Sequence, residues 1–178
     1  MPNLITPHRP SILSISYPDD GNLRARKVIS RSKARPTGKY PSWKMGRMMH
    51  WESSHELNAY RLLDSNPEVV SFHEQPLTIR YLLGGEEHLH YPDVLVNFGG
   101  TRELWEIKTA RDAADPGVVA RTSLMQSQLP DFGFVYRVVI GEDLARNPRL
   151  SNVLKLLKYG RQPVSLVERE SLVRILGA

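Results

Sequence analysis

The stretch Tyr91–Lys108, YPDVLVNFGGTRELWEIK, decides the fold. Two segments of strand character, Tyr91–Phe98 and Thr101–Lys108, flank Gly99-Gly100, and glycine supplies the positive φ that a two-residue hairpin turn needs. Such a turn pairs Phe98 with Thr101 and sets Asp93 opposite Glu106. Directly paired residues share a face, with Cβ atoms about 4.5–5.5 Å apart. The strand period of two then places Lys108 on the face of Glu106 and sends Trp105 and Ile107 into a core. An acid–acid–lysine cluster on one sheet face is the expectation.

Working outward, the 178 residues suffice for one domain with a substantial core, and 40 % apolar with 24 % charged content is ordinary for a soluble globular chain. The absence of cysteine excludes disulfides, thiolate metal sites and a cysteine nucleophile, and it fits a reducing, cytoplasmic setting. No apolar run approaches the roughly 18 residues of a membrane helix. The net charge of +5 is unevenly spread. Nine bases, Arg24, Arg26, Lys27, Arg31, Lys33, Arg35, Lys39, Lys44 and Arg47, lie between Gly21 and Trp51 with no acid among them. A basic arm on a mildly acidic body points to a polyanion such as DNA, against the plainer reading of a solvated tail. Pro36, Gly38 and Pro41 argue that this arm is extended, and Tyr40 and Trp43 add stacking surfaces to its charges.

In chain order, the Pro-containing residues 1–20 read as an irregular leader, and residues 1–40 as an amino-terminal arm ahead of a single domain at 41–178. A helix is expected from about Gly46 to Leu63. It carries Glu52, Glu56, Ala59 and Leu63 along one stripe, so two acids sit on a side that should be buried. A helix edge reaching water explains them as readily as a functional site does. Strands at Val69–Phe72 and Leu77–Leu83, the Gly84-Gly85 turn and a strand from about His88 continue into the opening hairpin as an antiparallel meander. Pro116 opens a helix to about Leu129, with Val118, Thr122, Met125 and Leu129 as its stripe. Phe132–Ile140 reads as a buried strand. Two helices then form a carboxy-terminal extension, the first from about Ser151 and the second opened by a Ser165/Glu168 capping box. The fold class is α/β, or α+β with a mixed sheet: a central mixed β-sheet flanked by helices.

Hard divalent cations prefer carboxylate oxygens. One or two Mg²⁺ ions suit this chemistry: Asp93 and Glu106 can bridge such an ion, with the Ile107 carbonyl as a third ligand and Glu56 completing the shell or anchoring a second metal. Lys108 would orient or deprotonate the attacking water and stabilise phosphorane charge. The plainer reading is a cross-strand salt-bridge group. His88 and His90 share a strand face that regular alternation turns away from Asp93, so they read as half-exposed strand residues outside the site.

Glu56, Pro92-Asp93 and Glu106-Ile107-Lys108 together read as E…PD…(D/E)xK, which resembles the PD-(D/E)xK nuclease superfamily. GKYPSWKMGRMMHWESSHE, NPEVVSFHEQPLTIRY, YPDVLV and ELWEIK look more specifically like the amino-terminal catalytic domain of TnsA, over roughly Gly38 to Ile140. The resemblance implies a restriction-endonuclease-like core and a Mg²⁺-dependent endonuclease, with Mn²⁺ able to substitute. Such an enzyme cuts the 5′ ends of a transposon beside a separate transposase subunit. It also implies Glu56, Asp93, Glu106 and Lys108 as the catalytic set, Gln75 as a secondary candidate, and double-stranded DNA and an AAA+ ATPase regulator as partners. Relatives that work in a full transposition complex usually carry a carboxy-terminal winged-helix domain, and the expectation here is that the residues after Ile140 are too few to form one. A stand-alone phage or repair nuclease and a non-catalytic DNA-binding assembly subunit remain the alternatives.

Overall fold

The computed structural model describes residues 9–19, 24–25, 36–160 and 165–176. Strands β4 (Ser71–Glu74), β7 (Val94–Asn97), β8 (Arg102–Lys108) and β9 (Val135–Ile140) form the central sheet in that order. The first three run antiparallel, and β9 lies parallel to β8. A parallel neighbour requires a crossover. Helices α2 (Ala110–Ala113) and α3 (Pro116–Gln128) supply it. The architecture is a mixed α/β fold with helices on both faces of a mixed-orientation sheet.

The opening hairpin forms in the expected register, from Val94↔Trp105 to Asn97↔Arg102. The Phe98 N–H donates to the Thr101 carbonyl at 2.9 Å, and Gly99 takes φ +83°. Both faces of β8 are covered. Ile107, with Trp105 against it, packs into one core with Phe72, Val94 and Val96 under helix α1 (Ser54–Ser65). Leu104 enters the other core with Leu124 and Met125 of α3.

That second core also holds Leu77, Ile79 and Tyr81, because β5 (Thr78–Leu83) is not part of a meander. It leaves the central sheet at Gln75-Pro76 and pairs with β6 (Glu86–His90) and β1 (Ser11–Ser16) in a separate three-stranded sheet. Gln75 sits at φ +42°, an uncommon conformation for a non-glycine residue, and Pro76 has no N–H to extend the ladder. β4 therefore pairs with β7, and β1 converts part of the expected irregular leader into an edge strand. The Gly84-Gly85 turn forms as expected, with φ of +64° and +85°.

The helix expected from Gly46 begins eight residues later. Residues Arg47–Trp51 are instead strand β3, paired with β2 (Gly38–Ser42), so the described end of the extended arm is a hairpin. A tertiary contact overrides the local pattern. Asp64 of α1 accepts from Ser42 Oγ and Lys44 N at Oδ1 and from Tyr40 Oη and Trp43 N at Oδ2, all at 2.8–2.9 Å. Four donors on one carboxylate fasten the hairpin turn to the helix. After β9 come α4 (Gly141–Leu144), α5 (Arg149–Tyr159) and α6 (Leu166–Leu176). The predicted Ser165/Glu168 capping box opens α6, with Ser165 N donating to Glu168 Oε2 and Glu168 N to Ser165 Oγ. No helix among the described residues is long and apolar enough to cross a membrane.

Candidate active site

The site lies where β7 and β8 part. The ladder ends at Val94↔Trp105, and Asp93 turns out of it instead of completing a pair with Glu106. Its N–H donates to the Trp105 carbonyl at 2.9 Å, and its carboxylate Oδ2 accepts the Ile107 N–H at 2.7 Å. Burial raises the Asp93 pKa well above the ordinary range, reinforced by repulsion from Glu106 and Glu56 and opposed by the Ile107 N–H and Lys108. The two acids are therefore electrostatic neighbours, as the hairpin register requires, although their backbones are not paired.

Glu106 is 3 % exposed. Its Oε1 meets Lys108 Nζ at 2.8 Å and an Arg121 amino nitrogen at 3.2 Å. Its Oε2 is buried and accepts no hydrogen bond. Burial pulls the Lys108 pKa down, but attraction to Glu106 and Asp93 more than reverses this, so the ammonium form is held above its usual range. Lys108 is thus a fixed cation beside the acids and not a ready base.

Glu56 stands near the amino end of α1 and within electrostatic range of Lys108 and Asp93. Its carboxylate is engaged locally: Oε2 accepts the Glu52 N–H at 3.0 Å and Oε1 the Ser53 hydroxyl at 3.1 Å, while Ser53 Oγ accepts the Glu56 N–H. This is a variant of the capping box, in which the Glu56 carboxylate reaches the amide before the N-cap, and it accounts by itself for an acid at that position. Burial raises the Glu56 pKa. Glu52, expected on the same helical stripe, precedes the helix. Gln75 is joined to the site through its backbone, its N–H donating to the Asp93 carbonyl at 2.9 Å.

His90 is a correction. Chain alternation kept it away from Asp93, but β6 ends at His90 and Tyr91-Pro92 interrupts the strand, so that alternation does not carry through. Its Nε2 lies 2.9 Å from the Tyr136 hydroxyl and 3.6 Å from Glu106 Oε2. Burial, with the charges of Arg121 and Lys108, lowers its pKa to about 3, so it is neutral at physiological pH. Sequence reasoning also missed Arg121. The available signal was a cation at i+3 from Val118 and i−4 from Met125, on the inward stripe of α3, where a buried charge requires a partner.

The basic segment separates into parts. Arg47 makes a bidentate pair with buried Glu74, at 2.9 and 2.6 Å, and Arg24 stands 4.0 Å from the same acid. Lys44 Nζ donates to the Asn66 carbonyl at 2.6 Å and to that of Val69, and burial lowers its pKa. These three charges are committed inside the fold. Lys39 is exposed, whereas Arg26, Lys27, Arg31, Lys33 and Arg35 lie outside the described residues. Tyr40, expected as a stacking surface, is buried in the core and donates to Asp64.

Among the described residues no three or more His, Cys, Asp or Glu side chains gather as a metal-binding group. Asp93 and Glu106 are nevertheless hard oxygen donors of the type divalent cations favour, and Glu106 Oε2 is a buried acceptor with no protein donor. A mixed sheet carrying two converging acids and a lysine at its opening hairpin has the build of a nuclease domain. Residues 66–140 match the family model described as TnsA-like endonuclease N terminal, in agreement with the resemblance seen in the sequence. The match ties this segment to nuclease and transposition-related function. It contains Gln75, His90, Asp93, Glu106, Lys108, Arg121 and Tyr136, and Glu56 precedes it. No curated protein matches the chain.

Proposed function

We propose that this chain is a Mg²⁺-dependent DNA endonuclease of the TnsA type, cutting the 5′ ends of a transposon beside a transposase subunit. The observation that supports it is the meeting of Asp93, Glu106 and Lys108, with one buried Glu106 oxygen left without a donor. Asp93, Glu106 and the Ile107 carbonyl would hold Mg²⁺, or Mn²⁺ in its place, with Glu56 beside them. The bound ion would supply an activated water and charge stabilisation at phosphorus. Positive charge near Asp93 would favour its ionised form, which burial and two neighbouring acids otherwise disfavour. The Lys108 ammonium keeps Glu106 Oε1 engaged and stands as a fixed positive charge for a phosphoryl oxygen. The test is nicking of supercoiled DNA with Mg²⁺. Asp93→Ala and Lys108→Ala should each lose activity by about a hundredfold or more while remaining folded. Wild-type rates in both variants would refute the assignment.

The exposed Lys39 and the bases Arg26, Lys27, Arg31, Lys33 and Arg35 fit phosphate contact, since Arg24, Lys44 and Arg47 are taken up by internal partners. Replacing those five undescribed bases by alanine preserves β1 and should flatten the salt dependence of DNA binding by about one unit of slope per lost contact. An unchanged slope would assign them to a solvated tail.

A further inference from the structure

Arg121 comes from α3, and the site acids come from the hairpin; only the crossover of the chain brings them together. The guanidinium shares Glu106 Oε1 with Lys108, at 3.2 and 2.8 Å, and it also lies beside Tyr81 and Tyr136. On the other side of the carboxylate, His90 Nε2 is 2.9 Å from Tyr136 Oη and 3.6 Å from Glu106 Oε2, beyond hydrogen-bond length. Nε2 is engaged with Tyr136, and Glu106 Oε2 has no hydrogen-bond partner. The two cations therefore converge on one oxygen, and the His90–Tyr136 pair borders the other, which accepts no hydrogen bond.

We propose that Arg121 is a positioning residue, whose guanidinium pins Glu106 Oε1 jointly with Lys108 and so leaves Oε2 as the oxygen available to a divalent cation. This rests on the nuclease reading above and adds residues from α3, β6 and β9 to the site. Arg121 touches neither DNA nor the ion in this role. It acts by fixing which carboxylate oxygen is free and which way it faces.

Electrostatics and positioning give Arg121 opposite effects on metal binding. As a bystander, the guanidinium would repel a cation, so its removal should tighten binding. As a positioning group, its removal frees the Glu106 carboxylate to rotate, and binding should weaken by about tenfold or more, the usual scale for groups that orient metal ligands. The experiment is a calorimetric titration of the full chain with Mn²⁺, without DNA, for wild type, Arg121→Met and Arg121→Lys. The expected result is weaker Mn²⁺ binding in Arg121→Met and partial recovery in Arg121→Lys, which restores the charge without the fork. Unchanged or tighter binding in Arg121→Met would overturn the inference while leaving the nuclease reading intact. Should Arg121→Met fail to fold, Arg121→Lys decides: affinity equal to wild type would overturn it. A wild-type chain that neither binds Mn²⁺ nor nicks DNA would remove both readings together.

Discussion

Two buried acidic sites bracket helix α1, and they are built in opposite ways. Near its carboxyl end, Asp64 receives four donors, two on each oxygen. Within electrostatic reach of Glu56 in its first turn, Asp93 and Glu106 sit close enough to repel, Asp93 has its pKa driven up, and Glu106 Oε2 accepts no hydrogen bond. A carboxylate held by four donors has little capacity left to bind anything else. A pair of acids that oppose each other, with one oxygen unserved, stabilises the fold poorly but suits a cation. The contrast separates an acid that builds the structure from acids that the structure holds at a cost.

Substitution can break this comparison, and the largest effect belongs to the satisfied site. Asp64→Ala strands the Tyr40 and Ser42 hydroxyls and the Trp43 and Lys44 amides, so urea unfolding should show a loss of about 3 kcal/mol. A loss below about 1 kcal/mol, the scale of one neutral hydrogen bond, would mean that the β2–β3 hairpin is not fastened through this carboxylate. At the opposing site the sign reverses. Asp93→Asn keeps an acceptor for the Ile107 N–H and removes the charge, so the variant should melt higher than wild type near neutral pH.

That second effect is smaller and depends on pH in a defined direction. The folded pKa of Asp93 is raised, so below the unfolded value of about 4 the group is protonated in both states and contributes no penalty. As pH rises through the window between the unfolded and folded values, the folded state is increasingly penalised for the charge. The Asn variant's advantage should therefore be absent below about pH 4 and grow to a plateau above the folded value. Thermal melts of both proteins across pH would check it. Equal stability at every pH would show that Asp93 is accommodated as comfortably as Asp64.

The molecule also shows where local reading stops. The register of β7 and β8 was legible because the turn and the two-residue period are short-range properties, and they hold as far as Val94↔Trp105. The same period failed at His90, one residue before the strand is interrupted. The helical stripe drawn through Glu52 and Glu56 failed because residues 47–51 find a strand partner in β2, a choice settled by Asp64 from further along the chain. The basic segment reads locally as one arm, although Glu74 and the carbonyls of Asn66 and Val69 claim three of its charges. In each case a partner distant in sequence outweighed the local preference.

By itself the sequence determined the hairpin, the side of β8 that carries Glu106 and Lys108, the Gly84-Gly85 turn and the cap of α6. Turn geometry and side-chain alternation act over a few residues and need no other part of the chain. The tertiary structure alone decided that β4 joins β7, that β5 and β6 leave for a second sheet, and that Arg121, His90 and Tyr136 surround Glu106. Sheet partners are chosen by which apolar faces can be covered at once, and a buried charge is balanced by whichever groups the packing brings to it. The acids and the lysine could be read along the chain, but the groups that balance them could not.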